Sequence, residues 1–416
     1  MRLFAAPLFT TLLTTGLTTS SATPPSSRLW ATHYNGNVYT LEFAGGQLSL
    51  IDTLQTCGGM PSWLTFDAET RVLYCSDESG SADPSTHGSL SAYRAASDGK
   101  LQEIATTQTV GGGVNSVLFE AGKGEKFLAI AHYGGSALST FALPLRDNAP
   151  ALQAFHFNMT HRGAVAQQDA PHPHEVFLDP TGSFVISPDL GADLLRVYSI
   201  DGTTGQLHHC PSVNVTFGSG PRHGVFWTDD TNNATDAEAR RGSSTHQRQL
   251  AAVGKTMMYL VNEIGGTMMA FDVAYARSGC LDFQATQTLV PYTNHSMPQG
   301  ATPAGIRMIG DAFYVSIRSD QGFAPNDSMV TLNRSPRHGA VSLRNRTPAY
   351  GKVPRTFVIN RAGDLVAIGN QASATVVIVR RDRETGNLGE ELAVLQVGEP
   401  GTIGAAEGLS SVIWDE

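Results

Sequence analysis

Read as apolar and polar positions alone, the chain repeats one phrase. An apolar strand opens behind a proline or histidine, a D-x-x-G-like turn follows, and then come a second apolar strand, a polar gap and a third strand ending in Tyr or Phe. The phrase is clearest in "PSWLTFDAETRVLYCSDE" from residue 61, "NSVLFEAGKGEKFLAIAHYGGSALSTFAL" from 115 and "PHEVFLDPTGSFVISPDLGADLLRVYSI" from 173. It returns in "PRHGVFW" from 221 with "KTMMYLVNEIGGTMMAFDV" from 255, in "PAGIRMIGDAFYVSIRSD" from 303, and in "PRTFVINRAGDLVAIGNQASATVVIVRRD" from 354. A fourth strand closes most units, as in "GKLQEIATTQTV" and "GNLGEELAVLQV". Period-two alternation between turn signals, recurring every ~40–50 residues, predicts four-stranded antiparallel blades of a β-propeller.

Six units read in full and a seventh is split. Three of its strands lie in "LWATHYNGNVYTLEFAGGQLSLI" near the start, and "LSSVIWDE" at the end supplies the first strand. The expectation is an all-β, seven-bladed propeller in which residues 410–416 pair with the strand near residues 29–33. Such pairing closes the ring and leaves no exposed sheet edge at the seam. Two β-sandwiches would need a break in composition near the middle of the chain, and none is present. Residues 229–250, "DDTNNATDAEARRGSSTHQRQL", are a polar insertion inside the unit that begins at Arg222, and read as a surface loop.

Composition changes the picture mainly by exclusion. At 416 residues the chain can bury one large core, and 43 Gly with 21 Pro suit many short strands and turns. A net charge of −9 without clustered Lys and Arg argues against nucleic acid. Residues 1–22 read as a secretory signal, with Arg2 at the positive start, an apolar run over 3–17, and Ser20 and Ala22 at a small-residue cleavage site. The propeller then spans 23–416. That run is short and Thr-rich, and no later stretch reaches the ~20 apolar residues of a membrane span. Seven N-x-[ST] acceptors, at Asn158, Asn214, Asn233, Asn294, Asn326, Asn333 and Asn345, agree with export. Four cysteines in an oxidising compartment permit two disulfides, and Cys57–Cys75, close in sequence, is the pair expected.

In a propeller the entry to each blade's first strand and the loop between second and third strands open on one face. His172, His174 and Glu175 lie at one such entry, and Arg222 with His223 at the next. Glu263, Arg318, His132, Tyr133 and Gln371 lie at the ends of second strands. Residues spread over the chain should therefore converge at one channel mouth. A plainer reading stands beside this one. Polar residues at strand ends are commonly solvated or cap turns, which fits His132, Tyr133, His223 and Gln371. Glu175 is as readily directed at the neighbouring blade, and Asp189 and Asp193 at backbone amides of a turn. His172 and His174 are expected to diverge to opposite faces and not to chelate a metal, and no zinc-type spacing occurs.

The stretches "HPHEVFLDPTGSFVISPDLGADLLRVYSID", "GPRHGVFW", "YLVNEIGGTMMAFDV", "YVSIRSD" and "GNQASATVVIVRRDRETGNL" resemble the seven-bladed lactonase family, which includes 6-phosphogluconolactonases and carboxymuconate cyclases. The likeness runs from about residue 28 to the end. It implies a catalytic His174, Arg222, Glu263 and Arg318, with His172, His132, His223 and Gln371 as substrate contacts. "YVSIRSD" departs from the family's more usual "SNRG" wording, and the insertion and the leader are further departures.

Two arginines can grip carboxylates bidentately at any working pH. With His174 or Glu263 as general acid they could close a carboxymuconate ring. With either as base they could hydrolyse a lactone, the arginines facing the oxyanion. Neither reaction requires a metal or organic cofactor. The partner expected is a small anionic substrate, and the sequence sets no oligomeric state. Because fold does not fix function, a secreted propeller that only binds a ligand, as an antigen or adhesin, stays open.

Overall fold

The computed structural model describes residues 27–229 and 254–416. The leader over 1–22, the acceptor Asn233 and all but the first residue of the 229–250 insertion lie outside the described residues. Seven antiparallel sheets are strung along the chain, six of four strands and one of five, the fifth strand there being a two-residue addition. Their innermost strands are Pro61–Asp67, Gly113–Ala121, Phe177–Leu178, Pro221–Thr228, Thr302–Ile309, Pro354–Ile359 and Leu409–Trp414. Consecutive blades touch in chain order, and the last returns to the first. This is the seven-bladed ring that the repeat predicts.

The seam closes as expected, with Leu29 opposite Trp414, Ala31 opposite Val412 and His33 opposite Leu409. The closing strand starts at residue 409, one earlier than the sequence pattern places it. Leu409, Val412 and Trp414 are buried among Leu29, Ala31 and Leu41 and the seventh blade's Ala367, Val376 and Ile378. Apolar residues along the strands face the next blade in the same way elsewhere. Tyr259, Val261 and Met268 of one blade pack on Ile306, Phe313 and Val315 of its neighbour. At roughly 1.5–3 kcal/mol per buried large apolar side chain, these interfaces between blades carry the fold.

Both disulfides form. Cys57–Cys75 is the expected pair, and Cys210–Cys280, 70 residues apart, ties the fourth blade to a turn of the fifth. No cysteine is left free. Two such bridges are the mark of a chain matured outside the reducing cytosol.

One irregularity recurs and positions the site. Where the inner strand of a blade begins, its pairing with the second strand slips by one residue. The skipped residues are Ser62, Val114, Arg222, Arg355 and Ser410. A similar slip lies between Pro303 and Ile306, and Pro173 faces Asp189 while Phe177 faces Ile186. A β-bulge bends its strand and re-aims the extra side chain. Here the bulges stand around one end of the channel, and all but Ser410 come just after a Pro or Gly.

Candidate active site

The bulges meet a second ring of side chains, supplied by the residue that follows the bulge's partner on the second strand. That position holds Glu78, Tyr133, Leu190, Glu263, Arg318 and Gln371 in successive blades, and Tyr34 in the blade that closes the ring. Members of both rings border a cavity of about 330 Å³ whose polar lining is Glu78, Tyr133, Gln167, His174, Glu263, Thr302, Arg318 and Arg355.

Glu263 is the hub of its charges. One carboxylate oxygen lies 2.6 Å from Arg222 Nε, and the other is ion-paired to Arg318. Arg222, only 1% exposed, also donates from Nη1 to the Ala304 carbonyl at 2.7 Å. The Arg222–Glu263 contact is an ion pair set off the hydrogen-bond line, so Nε has no aligned acceptor. Burial alone would raise the Glu263 carboxyl, but Arg318 and Arg222 hold it below its ordinary value. Burial pulls the Arg222 guanidinium down, against the carboxylate of Glu263. It remains a cation at neutral pH, since a guanidinium is not deprotonated in proteins.

His174 is held neutral. Burial, reinforced by the charges of Arg222, Arg355 and Arg318, pushes its imidazole well below the ordinary histidine value. Its Nδ1 is buried and has no hydrogen-bond partner among the described residues. The ring lies edge-on to Tyr133, 5.6 Å between centroids, and to His223, 5.3 Å away.

Across the cavity, Arg355 approaches Glu78 at 3.4 Å, and Glu78 accepts hydroxyl bonds from Tyr34 and Ser62, each 2.6 Å. The sequence reading missed this group. The signal for it is the repeat itself: Arg355 follows Pro354 as Arg222 follows Pro221, and Glu78 occupies the repeat position of Glu263.

Of the eight residues named from sequence, His174, Glu263 and Arg318 line the cavity and Arg222 stands directly behind them. The other four sit differently. His132 is fully buried, its Nε2 bonded to Ser139 at 2.7 Å, and it is the next residue, Tyr133, that reaches the cavity. Gln371 donates from Nε2 to the carbonyls of Ala405 and Glu407 and so ties down the loop before the closing strand. His223 is buried beneath His174, against the edge of Trp63 and 3.7 Å from Glu175. His172 stacks on Tyr133 at 4.1 Å between centroids, with Nδ1 at the Tyr133 carbonyl and Nε2 at Asp169.

The expected divergence of His172 and His174 is also corrected. Residues two apart in an extended strand share a face, and both rings pack on Tyr133. Among the described residues no group of three or more His, Cys, Asp or Glu is placed to hold a metal. Glu175 does face the neighbouring blade, accepting the Gly224 amide at 2.6 Å, and burial pushes its carboxyl up to about 7. Asp189 and Asp193 accept backbone amides, as their turn reading predicts, and Asp189 pairs with Arg196 as well.

Comparison with known proteins agrees with this architecture. Residues 28–405 match the family model described as "Lactonase, 7-bladed beta-propeller". A fungal relative from Arthroderma benhamiae, named "Probable 6-phosphogluconolactonase", is 27% identical over 352 residues, 83% of this chain and 80% of its own. A 6-phosphogluconolactonase from Formosa agariphila is 29% identical over 333 residues, covering 79% of this chain and 83% of its own. Among solved structures, a periplasmic gluconolactonase of Pseudomonas aeruginosa superposes with a TM-score of 0.71 at 22% identity, covering 94% of this chain and 99% of that one. With its seven closed blades and a match over nearly its whole length, the chain belongs to the seven-bladed β-propeller lactonase family.

Proposed function

We propose that the protein hydrolyses a small lactone at the channel mouth, with His174 as general base and Arg318 facing the oxyanion. The observation that carries this reading is a neutral, buried imidazole that shares one small cavity with two guanidinium groups. An uncharged imidazole can accept a proton from water as the water oxygen bonds to the lactone carbonyl carbon. The carbonyl oxygen becomes negative in that step, and fixed cations stabilise it more than they stabilise the neutral ester. When the ring C–O bond breaks, the imidazolium returns the proton to the leaving alkoxide, giving a hydroxy acid. Glu263 is too firmly held by two arginines to be the base; its role is to fix Arg318. Arg222 in turn fixes Glu263.

An acidic lactone is the second reading, supported by the relatives named 6-phosphogluconolactonase. Ring closure of a carboxymuconate would draw on the same cations, but those names favour hydrolysis. The test is a turnover screen of the purified protein against aldonolactones, with and without phosphate, and against carboxymuconate. Lactone opening above the spontaneous rate with no muconate turnover is expected. Muconate closure alone would replace the reading, and no turnover of either would leave a propeller that only binds.

Two disulfides and the N-terminal leader pattern support action outside the cell. Asn158, Asn214, Asn294 and Asn333 are exposed acceptors, whereas Asn345 is half-buried and donates to Asn387 at 3.2 Å. Endoglycosidase treatment of protein recovered from medium should lower its apparent mass. Replacing those four asparagines by glutamine should remove most of the shift. Protein retained in the cytosol without glycan would contradict export.

A further inference from the structure

The arginines of the cavity are mostly neutralised. Arg318 and Arg355 line it, with Arg222 behind, and Glu263 and Glu78 face them. Three guanidinium groups against two carboxylates leave one positive charge. The charges are not evenly spread. Arg222, Glu263 and Arg318, beside His174, carry the surplus, while Arg355 and Glu78 across the cavity cancel.

The second group is held from one side. Tyr34, Ser62 and Arg355 all reach the same Glu78 oxygen, Oε2. Among the described residues the other oxygen accepts no hydrogen bond, although Glu78 lines the cavity and its side chain is 19% exposed. Arg355, 14% exposed, spends one long 3.4 Å contact on Glu78 and lies 5.6 Å from the Tyr34 ring centroid. Among the described residues its five N–H groups are therefore largely uncommitted. A carboxylate oxygen seeking a donor beside guanidinium N–H groups seeking an acceptor matches a hydroxyl, which supplies both. It does not match a phosphate or a second carboxylate, which offers acceptors only and meets Glu78 as a like charge.

We infer that Glu78 and Arg355, set in place by Tyr34 and Ser62, are specificity-determining residues that read a hydroxyl. They direct the protein to uncharged, polyhydroxylated lactones rather than phosphorylated or multiply carboxylated ones. This rests on the lactonase reading. The single surplus charge beside His174 then meets the single negative charge of the transition-state oxyanion, and no further anion on the substrate is needed. A site that hydrogen-bonds a hydroxyl discriminates strongly, because its own buried polar groups go unpaired when that hydroxyl is missing. Discrimination here also has a repulsive part, the carboxylate itself.

The experiment compares kcat/KM for gluconolactone and 6-phosphogluconolactone, each corrected for spontaneous opening, in the wild type, Glu78→Gln and Tyr34→Phe. The wild type should prefer the uncharged lactone. Glu78→Gln, which keeps the shape and removes the charge, should lower the ratio of the two kcat/KM values about tenfold or more. Tyr34→Phe, which leaves the carboxylate less firmly placed, should move the ratio in the same direction by less. A purely structural role would scale both substrates together and leave the ratio unmoved. If the wild type opens both lactones but prefers the phosphorylated one, or Glu78→Gln leaves the ratio unchanged, the lactonase reading stands and this inference falls. If Glu78→Gln does not fold, the wild-type preference and Tyr34→Phe decide in the same way. If no lactone is opened at all, both fall.

Discussion

Replacing His174 by alanine is expected to lower kcat/KM for lactone opening about 10²- to 10⁴-fold, the usual cost of a lost general base. Folding should suffer little. The imidazole forgoes a hydrogen bond at Nδ1 and contributes ring contacts to Tyr133 and His223, so alanine removes packing without orphaning a partner. Its pH behaviour is the sharper test. Burial and the nearby guanidinium groups hold His174 neutral well below the ordinary histidine value. The wild-type kcat/KM should therefore stay level as pH falls through about 6.5, where an unperturbed imidazole would protonate and lose its basicity. An acid limb near that value, present in the wild type and absent from the residual activity of His174→Ala, would show an ordinary histidine there. A variant that keeps full activity would move the base elsewhere.

The repeat made the ring legible, and with it the shared face of His174, Arg222, Glu263 and Arg318. Each blade is a local unit whose alternation is written in a few consecutive residues. The seam could be read because "LSSVIWDE" carries the same apolar alternation as the inner strands it joins. What could not be read is whatever depends on one residue of register or on a neighbouring blade. His132 and Tyr133 are adjacent in the chain, yet His132 is bonded to Ser139 within the sheet while Tyr133, just past the strand's end, lines the cavity. Arg222 and Arg355 both follow a proline at a strand entry. Arg222 is drawn behind the cavity wall by the Ala304 carbonyl and Glu263, supplied by residues far along the chain. Arg355 meets Glu78 and stays in the wall. Gln371 stands where Glu263 does in the repeat, but carbonyls of the loop before the closing strand capture its amide. Cys210 and Cys280 meet only because the fourth and fifth blades are packed side by side.

Removing the charge of Glu263 should be the most damaging change to the fold within the cavity. Glu263→Gln keeps volume and hydrogen-bonding capacity but leaves Arg222, 1% exposed, without its counter-charge and beside Arg318. Breaking a buried ion pair from one side typically costs about 3–5 kcal/mol, because the remaining charge stays desolvated and unpaired. A loss of that order in denaturant-derived stability at neutral pH is expected, together with a fall in melting temperature. The pH dependence follows from the direction of the shift. The folded-state value of Glu263 is depressed, so its ionised form stabilises the native state fully above the unfolded-chain value of about 4.3. That contribution is lost as pH falls through the lower folded value. The gap in stability between wild type and Glu263→Gln should therefore be widest near neutrality and close on acidification. Adding Arg222→Met removes the orphaned cation, and the double variant should recover part of the lost stability while remaining inactive, since nothing then fixes Arg318 against the oxyanion. A Glu263→Gln protein as stable as the wild type at neutral pH would mean that Arg222 is held by the Ala304 carbonyl and its packing alone. The chain of charge from Arg222 through Glu263 to Arg318 would then have no energetic content.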